Sequence, residues 1–332
     1  MITDKCVAAE DFDRDVDACR NALFLTDSQV DRESLMSRKG TRAAGTCEWI
    51  TQNENYMSWL HGGTRLLWIS GGPGKGKTML SIFLTEELER MTRDMKDAGV
   101  AFCFCSHQDE KRNTAEAILR GLLYQIITKR SSLVKHVLPY LDAEDKSQQT
   151  LSSLETLWVI FRRLVYDPGL GTMFCVLDGL DECDQATLTV LVPKIVNIFL
   201  PENSRAPTGA FKLVIVSRDI LGLQGCPRVN LDYENDERVG SDIERFVLVK
   251  VKELSRIEGF NEEFRTGVQE ALLKRSQGTF LWIGFVMIEL SQKRTCTEVL
   301  ETLSNLPSGL PAMYNRMLLQ IERKRRHSSS MI

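Results

Sequence analysis

The chain has 332 residues, enough for about two domains of ordinary size, and its 43% hydrophobic and 26% charged residues are typical of globular proteins. Its net charge of −3 gives no global positive field, which argues against nucleic acid as a partner. No apolar stretch has the length of a signal peptide or a transmembrane segment, and the nine cysteines include no C-x-x-C pair. We therefore expect a cytoplasmic protein with reduced thiols.

Residues 1–40 are polar and acidic and are predicted to form an N-terminal helix and a linker. Residues 41–235 alternate between apolar runs and helix-period stripes, the runs lying at 65–70, 100–105, 172–177, 211–217 and, more weakly, 228–232. Asn113 and Ser152, each three residues before a glutamate, are spaced as capping boxes for two of the helices. This alternation predicts an α/β fold of three layers, with a parallel five-stranded sheet between two layers of helices.

Beyond residue 235 the strand pattern stops. Helical stripes follow at 243–254, 264–272, 281–290 and 314–321. They predict a small all-helical domain over residues 236–322. The basic segment 323–332 is expected to be a disordered, solvated tail.

Residues 71–78 read G-G-P-G-K-G-K-T and directly follow the apolar run 66–69. This is the P-loop (Walker A) pattern G-x-x-x-x-G-K-[ST], whose backbone N–H groups surround phosphates at the start of a helix. Lys77 is expected to reach the outer phosphates, and the Thr78 hydroxyl to bind Mg²⁺. The predicted nucleotide-binding residues are Gly71, Gly72, Pro73, Gly74, Lys75, Gly76, Lys77, Thr78 and Met79.

A second apolar strand ends in Asp178, followed by Asp181 and Glu182, as in a Walker B element. Because parallel strands end at the ligand-binding edge of such a sheet, Asp178 is predicted to face the P-loop and to bind Mg²⁺. Either Asp181 or Glu182 could polarise the attacking water as general base. We favour Glu182, since Asp181 could support the metal instead.

A third strand ends in Ser217 and Arg218 at the same edge. Arg218 could contact the γ-phosphate, or it could be an ordinary solvated cation; the segment alone leaves both open. His107 follows another strand and is a weaker candidate for orienting water. The chain has no N-K-x-D guanine-reading sequence, so adenine is the preferred base.

Taken together, these segments resemble the NACHT-type signal-transduction ATPases of the STAND class, particularly the fungal NOD-like receptors (NLRs). The matching stretches are 45–50, 66–78, 119–125, 177–183, 216–218 and 278–282. The resemblance implies an ATPase core over 41–235 with a helical lid, and it assigns nucleotide and Mg²⁺ roles to Lys77, Thr78, Asp178, Asp181, Glu182 and Arg218. In such proteins a Gly-x-Pro of the helical domain packs on the adenine. Here the matching place reads Gly278-Thr279-Phe280, so Phe280 replaces the proline; Gly309-Leu310-Pro311 also fits the tripeptide but lies later than expected.

The resemblance also implies an ATP/ADP switch that hydrolyses ATP slowly or not at all. The switch would signal through a conformational change and oligomerisation, as in fungal innate immunity or heterokaryon incompatibility. Its expected partners are copies of itself or other NLR proteins. Two alternatives stay open. One is an actively turning-over ATPase of the AAA+ kind. The other is a truncated, non-enzymatic regulator that pairs with full-length receptors, because the sequence stops before the winged-helix and repeat domains of such receptors.

Overall fold

The computed structural model describes residues 2–141, 144–199, 210–232 and 237–329. The chain divides into two compact units. The first contains residues 1–41, 51–70 and 77–229, and the second contains 42–50, 71–76 and 230–332.

The first unit is built on a parallel five-stranded sheet, which confirms the predicted α/β fold. Its strands are β1 Leu66–Ser70, β2 Ala98–Phe104, β3 Thr172–Asp178, β4 Ala210–Ser217 and β5 Arg228–Asn230. They lie in the order β2-β3-β4-β1-β5. Strand β4 therefore lies between β1, which precedes the glycine-rich loop, and β3, which ends in the predicted metal ligand.

Helices cover both faces of this sheet. They are α1 Ile2–Leu23, α2 Ser28–Lys39, α3 Glu54–His61, α4 Lys77–Thr92, α5 Ala115–Lys129, α6 Leu138–Leu141, α7 Glu144–Leu151, α8 Leu154–Val165 and α9 Gln185–Phe199. Side chains alternate across β3: Cys175 and Leu177 join a core with α1, α5, α8 and α9. On the other face, the Phe174 ring packs edge-on against Trp59 of α3, with ring centroids 5.6 Å apart. Helices α2 and α4 also contact the sheet.

Two local features differ from the sequence prediction. The cap of α5 is Thr114, which accepts from the Ala117 N–H, and the cap of α8 is Ser153, which accepts from the Thr156 N–H. Each lies one residue after the predicted cap, because the next residue is itself a hydroxyl residue and its side chain reaches the free N–H groups. The region expected to be one helix and a linker contains two helices, the second capped by Asp27.

The second unit contains five helices among its described residues: α10 Glu237–Lys252, α11 Glu262–Ser276, α12 Phe280–Leu290, α13 Cys296–Asn305 and α14 Leu310–Ser329. Four coincide with predicted stripes, and α13 was not predicted. Helix α14 runs into the segment expected to be a disordered tail, whose residues 330–332 lie outside the described ranges. None of the described helices combines the length and apolar character needed to cross a membrane.

Candidate functional site

The first turn of α4 carries the last residues of the glycine-rich motif. Lys77 and Thr78 open the helix, and Met79 follows them. The first N–H groups of a helix have no partner within it and carry its positive end, which favours a bound anion. The helix therefore begins at Lys77 and Thr78, the two residues to which the motif assigns the outer phosphates and the metal.

Asp178, the last residue of β3, lies against this turn. Its carboxylate accepts a hydrogen bond of 2.7 Å from the Ser81 hydroxyl and another from Thr78. Ser81 is three residues after Thr78, so both hydroxyls lie on the same side of α4. The structure thus brings together the two residues that the sequence proposed as magnesium ligands, and adds Ser81 as a further partner of the carboxylate.

Burial dominates the electrostatics of Asp178, which is only 5% exposed. Burial raises the pKa of Asp178 to about 6, against lowering contributions from the Ser81 hydrogen bond and the Lys39 charge. A hydroxyl and a buried carboxylate are hard oxygen donors, and Mg²⁺ commonly takes one or two such protein ligands together with phosphates. The residues present therefore fit a magnesium ion.

Asp181 and Arg218 form a pair at the neighbouring strand end. One Asp181 oxygen accepts the Arg218 backbone N–H at 3.0 Å, and the other lies 3.0 Å from the Arg218 Nε. The Asp181 side chain is 12% exposed and that of Arg218 is 57% exposed. Asp181 therefore fixes both the backbone and the guanidinium of Arg218 at the end of β4.

Glu182 has a different neighbour. Its carboxylate lies 3.2 Å from the Nδ1 of His107, which follows the end of β2. The Glu182 side chain is 35% exposed, so water can reach it. The two adjacent acids of the Walker B segment thus contact different residues, Asp181 the arginine and Glu182 the histidine.

The glycine-rich loop, residues 71–76, belongs to the second unit and is fastened at two points. The Gly72 N–H donates to both carboxylate oxygens of Asp232, at 2.8 and 2.9 Å, and the Phe280 N–H donates to the Gly74 carbonyl at 2.9 Å. Gly74 and Gly76 have φ angles of +76° and +82°, which L side chains rarely adopt. A Cβ at Gly76 would also lie 3.3 Å from the Phe280 ring. Phe280, at the place where the resemblance expects the proline, therefore contacts the loop itself.

The remaining predicted loop residues lie as follows. Gly71 is buried against Leu231, Pro73 is exposed, and Lys75 is partly buried with its Nζ close to Gly278.

Sequence reasoning missed three residues around these positions. Ser81 could have been found from its helical spacing to Thr78. Asp232 and Lys39 offered no local signal, because their contacts join segments far apart in the chain. The Lys39 Nζ lies 3.2 Å from the Thr78 hydroxyl oxygen.

Comparisons with known proteins identify the family of the sequence. The family described as "Nephrocystin 3, N-terminal" matches residues 45–218, a little over half of the chain. The chain is 28% identical over 314 residues to the vegetative incompatibility protein HET-E-1 of Podospora anserina, an alignment that covers 92% of this chain and 22% of that protein. The chain thus spans about a fifth of the length of this curated relative.

A solved structure, "Structure of C. elegans PCH-2", aligns with 89% of this chain and 71% of its own at a TM-score of 0.39 and 13% identity. The family match and the similarity to HET-E-1 confirm the resemblance to NACHT-type, NLR-like proteins that the sequence motifs indicated. The chain belongs to the Nephrocystin 3, N-terminal family.

Proposed function

We propose that this protein binds ATP and ADP with Mg²⁺ and acts as a slowly hydrolysing signalling switch in the cytoplasm. The observation that carries the proposal is the meeting of Thr78, from the Walker A motif, with the buried carboxylate of Asp178, from Walker B. Two segments about 100 residues apart supply these ligands, and the family match supports the same reading.

Each residue has a distinct role in this proposal. Backbone N–H groups of the 71–79 segment hold the phosphates, and Lys77 neutralises the outer ones. Thr78 and Asp178 hold Mg²⁺, which when bound would offset the charge of the phosphate oxygens. Ser81 orients the Asp178 carboxylate by donating to it at 2.7 Å.

We assign the general base to Glu182 and the orientation of Arg218 to Asp181. Both Asp181 oxygens are engaged by Arg218, one by its backbone N–H and the other by its Nε, which suits a residue that positions the arginine. Glu182 is water-accessible beside a histidine, which suits a residue that orients and deprotonates water. Arg218, held by Asp181, would contact the γ-phosphate and thereby give ATP a higher affinity than ADP.

This division of roles predicts different defects in two neighbouring variants. Glu182→Gln should slow ATP hydrolysis about 100-fold or more, in the range lost with a general base, while leaving ATP and ADP affinities unchanged. Asp181→Asn should instead release the Arg218 guanidinium and reduce the ratio of ATP to ADP affinity, as Arg218→Ala should. Single-turnover hydrolysis and equilibrium binding of both nucleotides measure the two effects. If only Asp181→Asn slows hydrolysis, the base assignment is wrong.

The proposed signalling role follows the relative HET-E-1, which is named for vegetative incompatibility. A ligand can shift a conformational equilibrium only through its difference in affinity for the two states, and the γ-phosphate is the difference between ATP and ADP. We therefore propose that the γ-phosphate favours a conformation that associates with further copies or with other NLR proteins.

Identifying the nucleotide that co-purifies with the protein tests the proposal. The protein is denatured, and the released nucleotide is separated by ion-exchange chromatography and quantified per chain. We expect the released nucleotide to be ADP. We also expect the purified protein to complete one turnover of ATP and to retain the ADP. Sustained turnover at ~1 per second or faster would indicate an AAA+-like ATPase instead. Absence of a nucleotide, together with no binding of added ATP or ADP, would contradict the proposal.

A further inference from the structure

Lys39 places a positive charge at the oxygens assigned to the metal. Its ammonium lies 3.2 Å from the Thr78 hydroxyl, and its charge is one of the influences that lower the pKa of Asp178. Lys39 is exposed and is the last residue of α2. A residue outside both Walker motifs therefore supplies a cation to the residues that would hold Mg²⁺.

The position of Lys39 is set by an anchor about two turns earlier in α2. Arg32 is only 9% exposed; its guanidinium donates to the Thr85 hydroxyl at 3.0 Å and pairs with Glu89 at 2.8 Å, both on α4. The same guanidinium lies 4.9 Å from the centroid of the Phe102 ring. A largely buried ion pair with a ring contact holds α2 firmly against α4.

The contacts along the two helices show that α2 and α4 run antiparallel. Near the start of α2, the Gln29 amide donates to Glu89 at 2.9 Å, and at its end Lys39 reaches Thr78. At a rise of about 1.5 Å per residue, the ten steps from Gln29 to Lys39 span about 15 Å and the eleven steps from Thr78 to Glu89 span about 16.5 Å. The helices therefore match in length, and this pairing brings Lys39 to the first turn of α4.

We propose that Lys39 is an internal cation that competes with Mg²⁺ for the Thr78 and Asp178 oxygens and is displaced when the metal binds. This inference rests on the proposed nucleotide and Mg²⁺ function. A divalent ion held by the same oxygens would repel an ammonium beside it, and the divalent ion binds carboxylate and hydroxyl oxygens more strongly. Because Lys39 is exposed and carries a flexible, well-hydrated ammonium, its release into water costs little.

Displacement has a consequence for α2. Arg32 keeps its contacts with α4, but the C-terminal turn of α2, which is followed by the cap residue Gly40, loses the Lys39 contact with Thr78. Binding of the metal would thus loosen residues 36–41. This couples the bound metal to the N-terminal helices through one side chain.

The test compares the Mg²⁺ dependence of nucleotide binding in wild type and variants of the full chain. Binding of a fluorescent ADP analogue is measured first in EDTA and then across a Mg²⁺ titration. Lys39→Met should lower the half-saturating Mg²⁺ concentration about five- to tenfold, where tenfold equals ~1.4 kcal/mol. Lys39→Arg, which keeps the charge, should stay near wild type. Arg38→Met, at an exposed neighbour that bonds the Ser34 carbonyl, should leave the concentration unchanged.

Hydrogen exchange gives a second measurement. Adding Mg²⁺ with ADP should speed exchange of the amides at 36–41 in wild type, compared with ADP in EDTA, and should have no such effect in Lys39→Met. An unchanged or higher half-saturating Mg²⁺ concentration in Lys39→Met would overturn the inference, and a higher one would mean that Lys39 assists binding. If nucleotide binds but its Mg²⁺ dependence is the same in all variants, only this inference fails. Absence of binding under every condition overturns the proposed function as well.

Discussion

Lys77→Ala should lower the affinity for ATP about 10- to 100-fold while leaving the fold intact. Hydrogen bonds to charged groups contribute about 1.5–3 kcal/mol, and this lysine would neutralise the outer phosphates from the first turn of α4. Isothermal titration calorimetry on protein stripped of nucleotide measures the loss directly.

The matched control for Lys77→Ala is Lys96→Ala, which removes an exposed lysine from the segment after α4. It changes the net charge by the same amount, so its ATP affinity should equal that of wild type. Thermal unfolding of both variants checks that the fold is preserved. Equal ATP affinity in Lys77→Ala and wild type would show that the glycine-rich motif does not hold phosphates.

Asp178→Asn should stabilise the nucleotide-free protein at neutral pH and at the same time abolish its response to Mg²⁺. The pKa of Asp178 is raised from 3.8 to about 6 by burial. Between these values the folded protein binds more protons than the unfolded chain, so stability falls as the pH rises toward 6 and the carboxylate ionises. Above that pH the buried charge costs about 1–3 kcal/mol.

Urea unfolding in EDTA between pH 4 and 8 tests this expectation. Asp178→Asn should raise the free energy of unfolding by about 1–3 kcal/mol at pH 7.5, and the difference from wild type should shrink as the pH approaches 4. Glu110→Gln, at an exposed acid, should change the free energy of unfolding by less than about 0.5 kcal/mol. A variant that is less stable than wild type at pH 7.5 would contradict the burial argument. A variant that still binds nucleotide more tightly in Mg²⁺ would remove Asp178 from the metal site.

The sequence was sufficient to predict the sheet and the meeting of Thr78 with Asp178. Buried parallel strands appear as continuous apolar runs, and their carboxyl ends share one edge of the sheet. Asp178 ends one strand and Thr78 follows another, so both residues were expected at that edge. The order of the strands was not needed for this prediction, although it decides which residues are direct neighbours.

The division of roles between Asp181 and Glu182 could not be predicted in the same way. Both lie in one short turn after β3, and the direction of each side chain depends on the backbone of that turn. The structure turns Asp181 toward the end of β4 and Glu182 toward His107. The sequence is the same whichever of the two acids faces Arg218, so composition and spacing could not assign their roles.

Contacts between distant segments were also beyond sequence analysis. Lys39 ends a helix in a region expected to contain a linker, and only the antiparallel pairing of α2 with α4 brings it to Thr78. Asp232 is likewise about 160 residues from Gly72, whose N–H it accepts. The contacts of Lys39 and Asp232 depend on tertiary packing rather than on local spacing. Neither residue therefore belongs to a motif that sequence analysis could have found.

The position of β4 in the middle of the sheet limits how Arg218 can respond to a ligand. This strand is hydrogen-bonded along β1 on one side and β3 on the other, and its last residue, Ser217, accepts from the Trp68 indole at 2.9 Å. Sliding β4 would break both ladders at once, so the Cα of Arg218 is a fixed reference point. Any readout of the γ-phosphate through Arg218 must therefore come from a small, fast movement of its side chain, which Asp181 orients, and the rest of the sheet does not follow that movement.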